Sequence, residues 1–309
     1  MIPFFIKKIF WKIIPQKAGI KVREAFYFCI SAYLTKKYNP STSFKHYLSI
    51  AAIAKNEAPY IREWIEYHLI VGVDKFYIYD NESEDGLKKI LQPYIESGIV
   101  EYKYIRGKSK QIYAYNKTLT RVRNKTYWLA LIDIDEFIVP VSEKTIPDFL
   151  KGFEDFPAVH INWLVYGSSG RKTKTNGLVI ERFKDHSETD FYQNRFTKAI
   201  VNPRKTIIIN VHGSTYIHGA LGVKSDQTAE QNISVSASIH YDKIRINHYY
   251  GKSYEEFLNK KNRGRGTNVT IRYIDDNFYA LDRNEVKNDP IMDKYIPLIY
   301  ENLKKRAIR

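Results

Sequence analysis

The sequence predicts an α/β domain built on a mostly parallel sheet, and three observations carry that reading. Between residues 47 and 132, apolar runs of strand length alternate with longer segments whose apolar residues recur at helical spacing, the pattern of βαβ units. Three predicted strands end in polar residues: Lys55-Asn56-Glu57, Asp80-Asn81-Glu82-Ser83 and Asp133-Ile134-Asp135-Glu136. Open parallel sheets bind ligands beyond such carboxyl ends. The third end interrupts an apolar run, LIDIDEFIVP (131–140), with three carboxylates, groups rarely buried without a partner.

In chain order, YNPSTS (38–43) marks the boundary between a basic N-terminal segment and the main domain. Residues 47–54 form an apolar run of strand length. Residues 58–71 follow as a helix, with Ile61, Trp64, Ile65, His68 and Leu69 at helical spacing and Pro59 in the first turn, where a missing N–H is tolerated. Strands are expected at 75–79, 99–104 and 128–132, alternating with helices at 84–96 and 111–124. After Pro140 the rhythm changes. Residues 159–166, 177–182, 196–201, 206–209 and 243–250 read as strands, and 254–261 and 292–305 as helices. The expected organisation is a basic amphipathic segment over 1–46, an α/β domain over 47–265 and a helical C-terminal extension over 266–309.

A chain of 309 residues holds one large domain or two small ones, and 44% hydrophobic content excludes a disordered chain. The net charge of +15, from 49 Lys+Arg against 34 Asp+Glu, suggests a polyanionic partner without choosing among nucleic acid, anionic lipid and phosphorylated substrates. Much of the excess sits at the ends: Glu24 is the only acid before residue 47, and the chain finishes LKKRAIR. The single cysteine, Cys29, excludes an intramolecular disulfide and a cysteine-rich zinc site, and fits a reducing compartment. No stretch approaches the roughly 20 apolar residues of a transmembrane helix. In MIPFFIKKIFWKIIP (1–15), a helix would cluster Phe4, Phe5, Ile9, Ile13 and Ile14 opposite Lys7, Lys8 and Lys12, as in an interfacial membrane anchor. A helix packed on the protein's own body is the equal alternative. The expected location is cytoplasmic, with peripheral contact to anionic membrane through this segment.

Asp133 and Asp135 are two apart, so on an extended chain both side chains leave the same face. Such a pair is an oxygen clamp of the kind that holds Mg²⁺ or Mn²⁺ together with substrate phosphates. An acidic surface strand end is the plainer alternative, but the flanks YWLALI (127–132) and FIV (137–139) are too apolar for a solvated turn. Asn56 or Glu57 could cap the next helix, and Asp80-Asn81 could be a turn. Three such ends on one sheet are harder to obtain from caps and turns alone.

KNEAPYIREWIEYHLIVGVDKFYIYDNESEDG (55–86), Q-x₂-A-x-N (111–116), LIDIDEFIVP (131–140) and INHYYGKSYEEFLNKKNRG (246–264) together resemble glycosyltransferases of the GT-A fold, in the family 2-like group that includes glycosyltransferase family 92. The resemblance covers roughly residues 48–265. It implies a Rossmann-like, mostly parallel central sheet flanked by helices, with basic, partly helical extensions. It implies transfer of a sugar from a nucleotide-sugar donor, UDP-linked by preference, to a saccharide or lipid-linked saccharide acceptor. The reaction usually proceeds with inversion and with Mn²⁺ or Mg²⁺. Carried over by position, Asn56 and Glu57 meet base and ribose, Asp80 contacts ribose or base, and Gln111 lies beside the nucleotide. Asp133 and Asp135 match the family's metal-binding acidic motif. His248 supplies a further metal ligand or a diphosphate contact, and Lys252 could neutralise the leaving group.

An acceptor hydroxyl needs a base, normally a carboxylate. Glu181, Glu188 and Asp190 are candidates, and Glu136 adjoins the metal pair. Glu181 is favoured because it interrupts the apolar run 178–180, against the plainer reading of a surface carboxylate beside Arg182. Trp163 and Tyr166 resemble the acceptor-side segment, although Trp163 could equally be core. His212 and His218 compete with His248 for the metal role. Two other function classes remain in view. A nucleic-acid-binding protein would use the basic charge and exposed aromatics, but no RNP, KH, helix-turn-helix or zinc-finger pattern is present, so nucleic acid is not the expected partner. A nucleotidyltransferase would call for a glycine-rich basic loop after the first strand, and KNEAP is not one.

Overall fold

β1 (His46–Ala54) is an interior strand of the sheet, and its sequence explains why. HYLSIAAIA is almost continuously apolar, as a strand covered on both faces must be. Leu48, Ile50, Ala52 and Ala54 point into the larger hydrophobic core, while Ala51 points into a second cluster on the other face. The computed structural model describes residues 20–38, 43–210, 213–230, 235–263 and 275–307. The predicted membrane segment (1–15) and His212 lie outside the described residues.

β1 pairs in parallel with β2 (Lys75–Asp80) on one side and β4 (Thr126–Leu131) on the other, and β2 pairs in parallel with β3 (Val100–Tyr104). The order β3-β2-β1-β4 places the switch point of this α/β half between β1 and β4, where such sheets bind ligands. α1 (Ile20–Lys37) precedes this half. Its crossovers are α2 (Ala58–Ile70), α3 (Leu87–Glu96) and α4 (Gln111–Val122). α2 carries Pro59 in its first turn and buries Ile61, Trp64, Ile65 and His68. It ends at Gly72, whose φ of +97° and proximity to Pro147, 2.8 Å from where a Cβ would sit, exclude any side chain. α3 begins three residues later than expected, because Asp80-Asn81-Glu82-Ser83 and the residues after it form a hydrogen-bonded turn.

Beyond the acidic loop the chain forms a strand that the sequence did not separate from its predecessor, β5 (Glu136–Pro140), and the short helix α5 (Ile146–Leu150). β6 (Ala158–Val165) and β7 (Thr197–Val201) then extend the sheet antiparallel, β7 joining the edge of β4. The segment 177–182, expected as a strand, is instead the helical turn α6 (Val179–Arg182). β8 (Thr206–Asn210) and β9 (Gly213–Tyr216) form a hairpin held against α4 by Asn116, whose side-chain amide donates to the Ile209 carbonyl and accepts from its N–H. After β10 (Gly222–Val223) and β11 (Ala229–Glu230), β12 (Ile244–His248) inserts between β5 and β6, antiparallel to the first and parallel to the second. α7 (Tyr254–Arg263), α8 (Asp275–Leu281) and α9 (Ile296–Ala307) complete the described chain. The α/β class with a parallel half expected from the sequence is the one observed. Among the described residues no helix is long and apolar enough to cross a membrane.

Candidate active site

The site is built around the loop between β4 and β5. Register sets the first contact: His248, the last residue of β12, pairs with Glu136, the first of β5. The backbone N–H of Tyr249 then donates to the Asp135 carbonyl. His248 Nε2 lies 3.8 Å from Asp135 Oδ2. Its ring packs against Trp163 with centroids 4.2 Å apart and the planes tilted by 45°, and its Nδ1 is buried without a hydrogen-bond partner. Burial holds this imidazole below its ordinary range, towards the neutral form that can ligate a metal. The structure therefore joins Asp133, Asp135, Glu136 and His248, which lie up to 115 positions apart (248 − 133).

Two lysines complete the cluster. Lys198 on β7 donates to Asp133 Oδ2 at 2.6 Å and stands 3.3 Å from Glu136 Oε2. Lys260 on α7 donates to Asp135 Oδ2 at 2.5 Å and to the Tyr250 carbonyl at 2.9 Å. Burial would raise the Asp135 carboxyl, but Lys260 and then His248 outweigh it and hold the group well below the usual carboxylate range. Lys198 is held well above its ordinary value, because Asp133 and Glu136 overcome the effect of burial. Glu136 is fully buried. Its Oε2 accepts from the Asp133 N–H at 2.9 Å, and burial pushes its carboxyl up to about 8 against the pull of Lys198. It braces the loop from beneath. Asp133 is the outward member, its side chain 37% exposed.

Gln111, the first residue of α4, donates to Asp133 Oδ1 at 2.8 Å, which ties the expected nucleotide-side helix to the acidic loop. Asn56 and Asp80 meet at the neighbouring strand ends. The Asn56 N–H donates to Ser83 Oγ, and the Ser83 N–H donates to Asp80 Oδ1, both at 2.9 Å. Asn56 takes φ +52°, a left-handed conformation Asn tolerates, and its Oδ1 accepts from the Glu84 N–H. Asp80 Oδ2 also accepts from the Tyr102 hydroxyl at 2.7 Å. Glu57 is buried at the start of α2, and its side chain makes no cap bond there. Lys252 is buried with its ammonium 4.5 Å over the Tyr60 ring, and its charge helps hold Asp135 down.

Glu181 is not brought to this cluster. It sits exposed on α6, not on a strand, and its carboxylate accepts from the Tyr300 hydroxyl of α9 at 2.7 Å. Its reading as a break in an apolar strand fails, since the run 178–182 turns helically to meet the buried Glu63 carboxylate, which accepts from the Val179 and Ile180 N–H groups. Glu188 and Asp190 lie on an exposed loop. His218 bonds Ser31 and Thr35 of α1 and takes no part in the site. Lys198 and Lys260 were missed. A lysine inside the apolar run 197–201 was a legible signal for the first, but Lys260 looks like any solvated helix lysine.

Two carboxylates and an imidazole nitrogen suit Mn²⁺ or Mg²⁺, and the orphaned buried His248 Nδ1 is consistent with a ligand-binding histidine. Among the described residues no three His, Cys, Asp or Glu side chains converge into a ready-made cage. A cation held by one or two carboxylates and completed by substrate phosphates needs none.

The model of glycosyltransferase family 92 matches residues 45–280. The chain is 31% identical over 116 residues to a glycosyltransferase family 92 protein of Oryza sativa subsp. japonica, covering 37% of this chain and 20% of that protein. It is 25% identical over 240 residues to beta-1,4-galactosyltransferase galt-1 of Caenorhabditis elegans, covering 72% of this chain and 52% of that one. These matches thus span between a fifth and about half of the relatives' own length. Among solved structures it is similar to S. aureus TarS 1-349 in complex with UDP, at 14% identity over 42% of this chain and 38% of that chain, with a TM-score of 0.32.

Proposed function

The chain belongs to glycosyltransferase family 92, and on that premise we propose that it is a metal-dependent glycosyltransferase. It moves a hexose, galactose being the first candidate, from a UDP-sugar to a saccharide or lipid-linked saccharide, with inversion. The galactosyltransferases among its relatives support the choice of sugar. One observation carries the reading: residues from four separate segments converge on the Asp133–Asp135 loop at the switch point between β1 and β4.

In this reading the nucleoside lies over the ends of β1 and β2, against Asn56, Glu57 and Asp80, with Gln111 between it and the acidic loop. Asp133, Asp135 and His248 hold Mn²⁺ or Mg²⁺ with the donor diphosphate. The bound cation supplies a Lewis acid that offsets charge on the departing diphosphate. Lys252 adds positive charge on the same side. Glu136 positions the loop and is too enclosed to reach an acceptor. Glu181 stands away from the cluster, so the base for the acceptor hydroxyl is sought on the acceptor side near Trp163, where Glu188 and Asp190 follow in the chain.

The test is hydrolysis of UDP-, GDP- and CMP-sugars with and without Mn²⁺. A UDP-sugar should be turned over only with metal, and Asp135→Asn should abolish turnover while the melting curve still shows a folded protein. Full activity of that variant in metal-depleted buffer would sink the proposal.

A further inference from the structure

Asp133 and Asp135 are each already paired with a cation. Lys198 Nζ holds Asp133 Oδ2 at 2.6 Å and lies 3.3 Å from Glu136. Lys260 Nζ holds Asp135 Oδ2 and sits 4.1 Å over the Tyr250 ring. The two lysines arrive from β7 and α7, and each aspartate has its own counter-ion. We propose that these lysines are resident counter-cations which must yield the acidic pair to the metal, so that metal and donor diphosphate load together. The proposal rests on the donor reading given above and adds to it the order in which the site fills.

The argument is electrostatic. Three carboxylates, Asp133, Asp135 and Glu136, face Lys198 and Lys260, with Lys252 contributing from nearby. A divalent cation entering that set alone would stand beside ammonium groups at short range in a partly buried site, where like charges repel strongly. The metal must therefore displace the lysines from the oxygens it needs, and each displaced ammonium loses a carboxylate partner, although Lys260 still donates to the Tyr250 carbonyl. A nucleoside diphosphate changes both terms. It brings negative charge and several acceptor oxygens, so a lysine leaving an aspartate can turn to a phosphate, for which an ammonium is a good partner. Each ligand thus lowers the cost of binding the other, and by linkage the coupling is reciprocal.

Isothermal titration calorimetry decides it, with Mn²⁺ alone, UDP alone, and each in the presence of the other. For the unaltered protein we expect Mn²⁺ alone to bind weakly and UDP to tighten it by about tenfold or more, inside the usual range for coupled sites. Lys260→Gln and Lys198→Gln should each bind Mn²⁺ alone about tenfold more tightly, with the coupling to UDP reduced. If both folded variants bind Mn²⁺ alone no better than the unaltered protein, the lysines are not competitors and the inference is overturned. If UDP binds none of the proteins with or without Mn²⁺, the donor reading and the coupling fall together, while the metal-alone arm still reports on the lysines. Should Lys198→Gln fail to fold because Glu136 loses its nearby charge, Lys260→Gln decides alone, since it leaves Asp133 and Glu136 untouched.

Discussion

His248 owes its place to strand register, and its neighbours define what its removal would do. It faces Asp135 across 3.8 Å with the Trp163 ring packed against it at a tilt. His248→Ala should lower turnover and weaken Mn²⁺ or donor binding by at least about tenfold, the scale of lost metal-site support, with acceptor KM unchanged. Kinetics with the acceptor varied check this, because a variant whose sole defect is a raised acceptor KM moves His248 to the other side of the site. Asp80 invites a two-sided test. Both of its oxygens are engaged, by the Ser83 N–H and the Tyr102 hydroxyl, so Asp80→Ala should cost about 1–2 kcal/mol of stability and lower the melting temperature. If Asp80 also contacts the nucleoside, calorimetry with UDP will show weaker binding. Unaltered affinity would leave it a turn residue.

At the scale of elements, the segment 177–182 shows where pattern reading fails. Leu178, Val179 and Ile180 are all buried, and a short apolar run carries no periodicity to separate strand from helix. The choice was made by partners distant in sequence. Glu63 on α2 receives the Val179 and Ile180 N–H groups, and Arg182 makes a bidentate pair with Glu256 of α7 at 3.0 and 2.9 Å. Burial would raise the Glu256 carboxyl, but Arg182 and the Ser253 hydroxyl hold it down at about 2. A depressed folded pKa contributes stability that is present above the unfolded value near 4.5 and is lost as pH falls through 2. The window is worth about 3 kcal/mol. Arg182→Met leaves a buried carboxylate unpaired and should cost about 3–5 kcal/mol at pH 7. Denaturant unfolding at pH 7, 5 and 3 tests both points: the gap between the two proteins should narrow on the acid side, and a gap independent of pH would refute the assignment.

For the whole molecule, we propose from the net charge of +15 that residues 1–15 contact an anionic membrane surface. A few lysines within residues 1–15, each contributing about 1 kcal/mol near such a surface, should give reversible, salt-sensitive binding. Liposome sedimentation reads it, and equal pelleting of the full chain and of a chain lacking residues 1–15 would end the idea. The sequence by itself determined the alternation of β1 to β4 with α2 to α4, because local apolar patterning over short segments carries that information. It also singled out Asp133 and Asp135 as candidates, because carboxylates between apolar flanks call for a cation. The extended-chain, same-face reading does not hold: the structure sets the pair in a turn between β4 and β5, each with its own lysine. The sequence could not separate β5 from β4, since the apolar run resumes at once after the acids. Only the tertiary structure decided which cations meet those acids. Lys198 and Lys260 reach them through an antiparallel strand pairing and a helix placed by β12, and long-range register of that kind leaves no trace in local pattern. The same holds for Glu181. Its neighbourhood is set by α9, more than a hundred residues away, and a local sequence reading sees only Arg182 beside it.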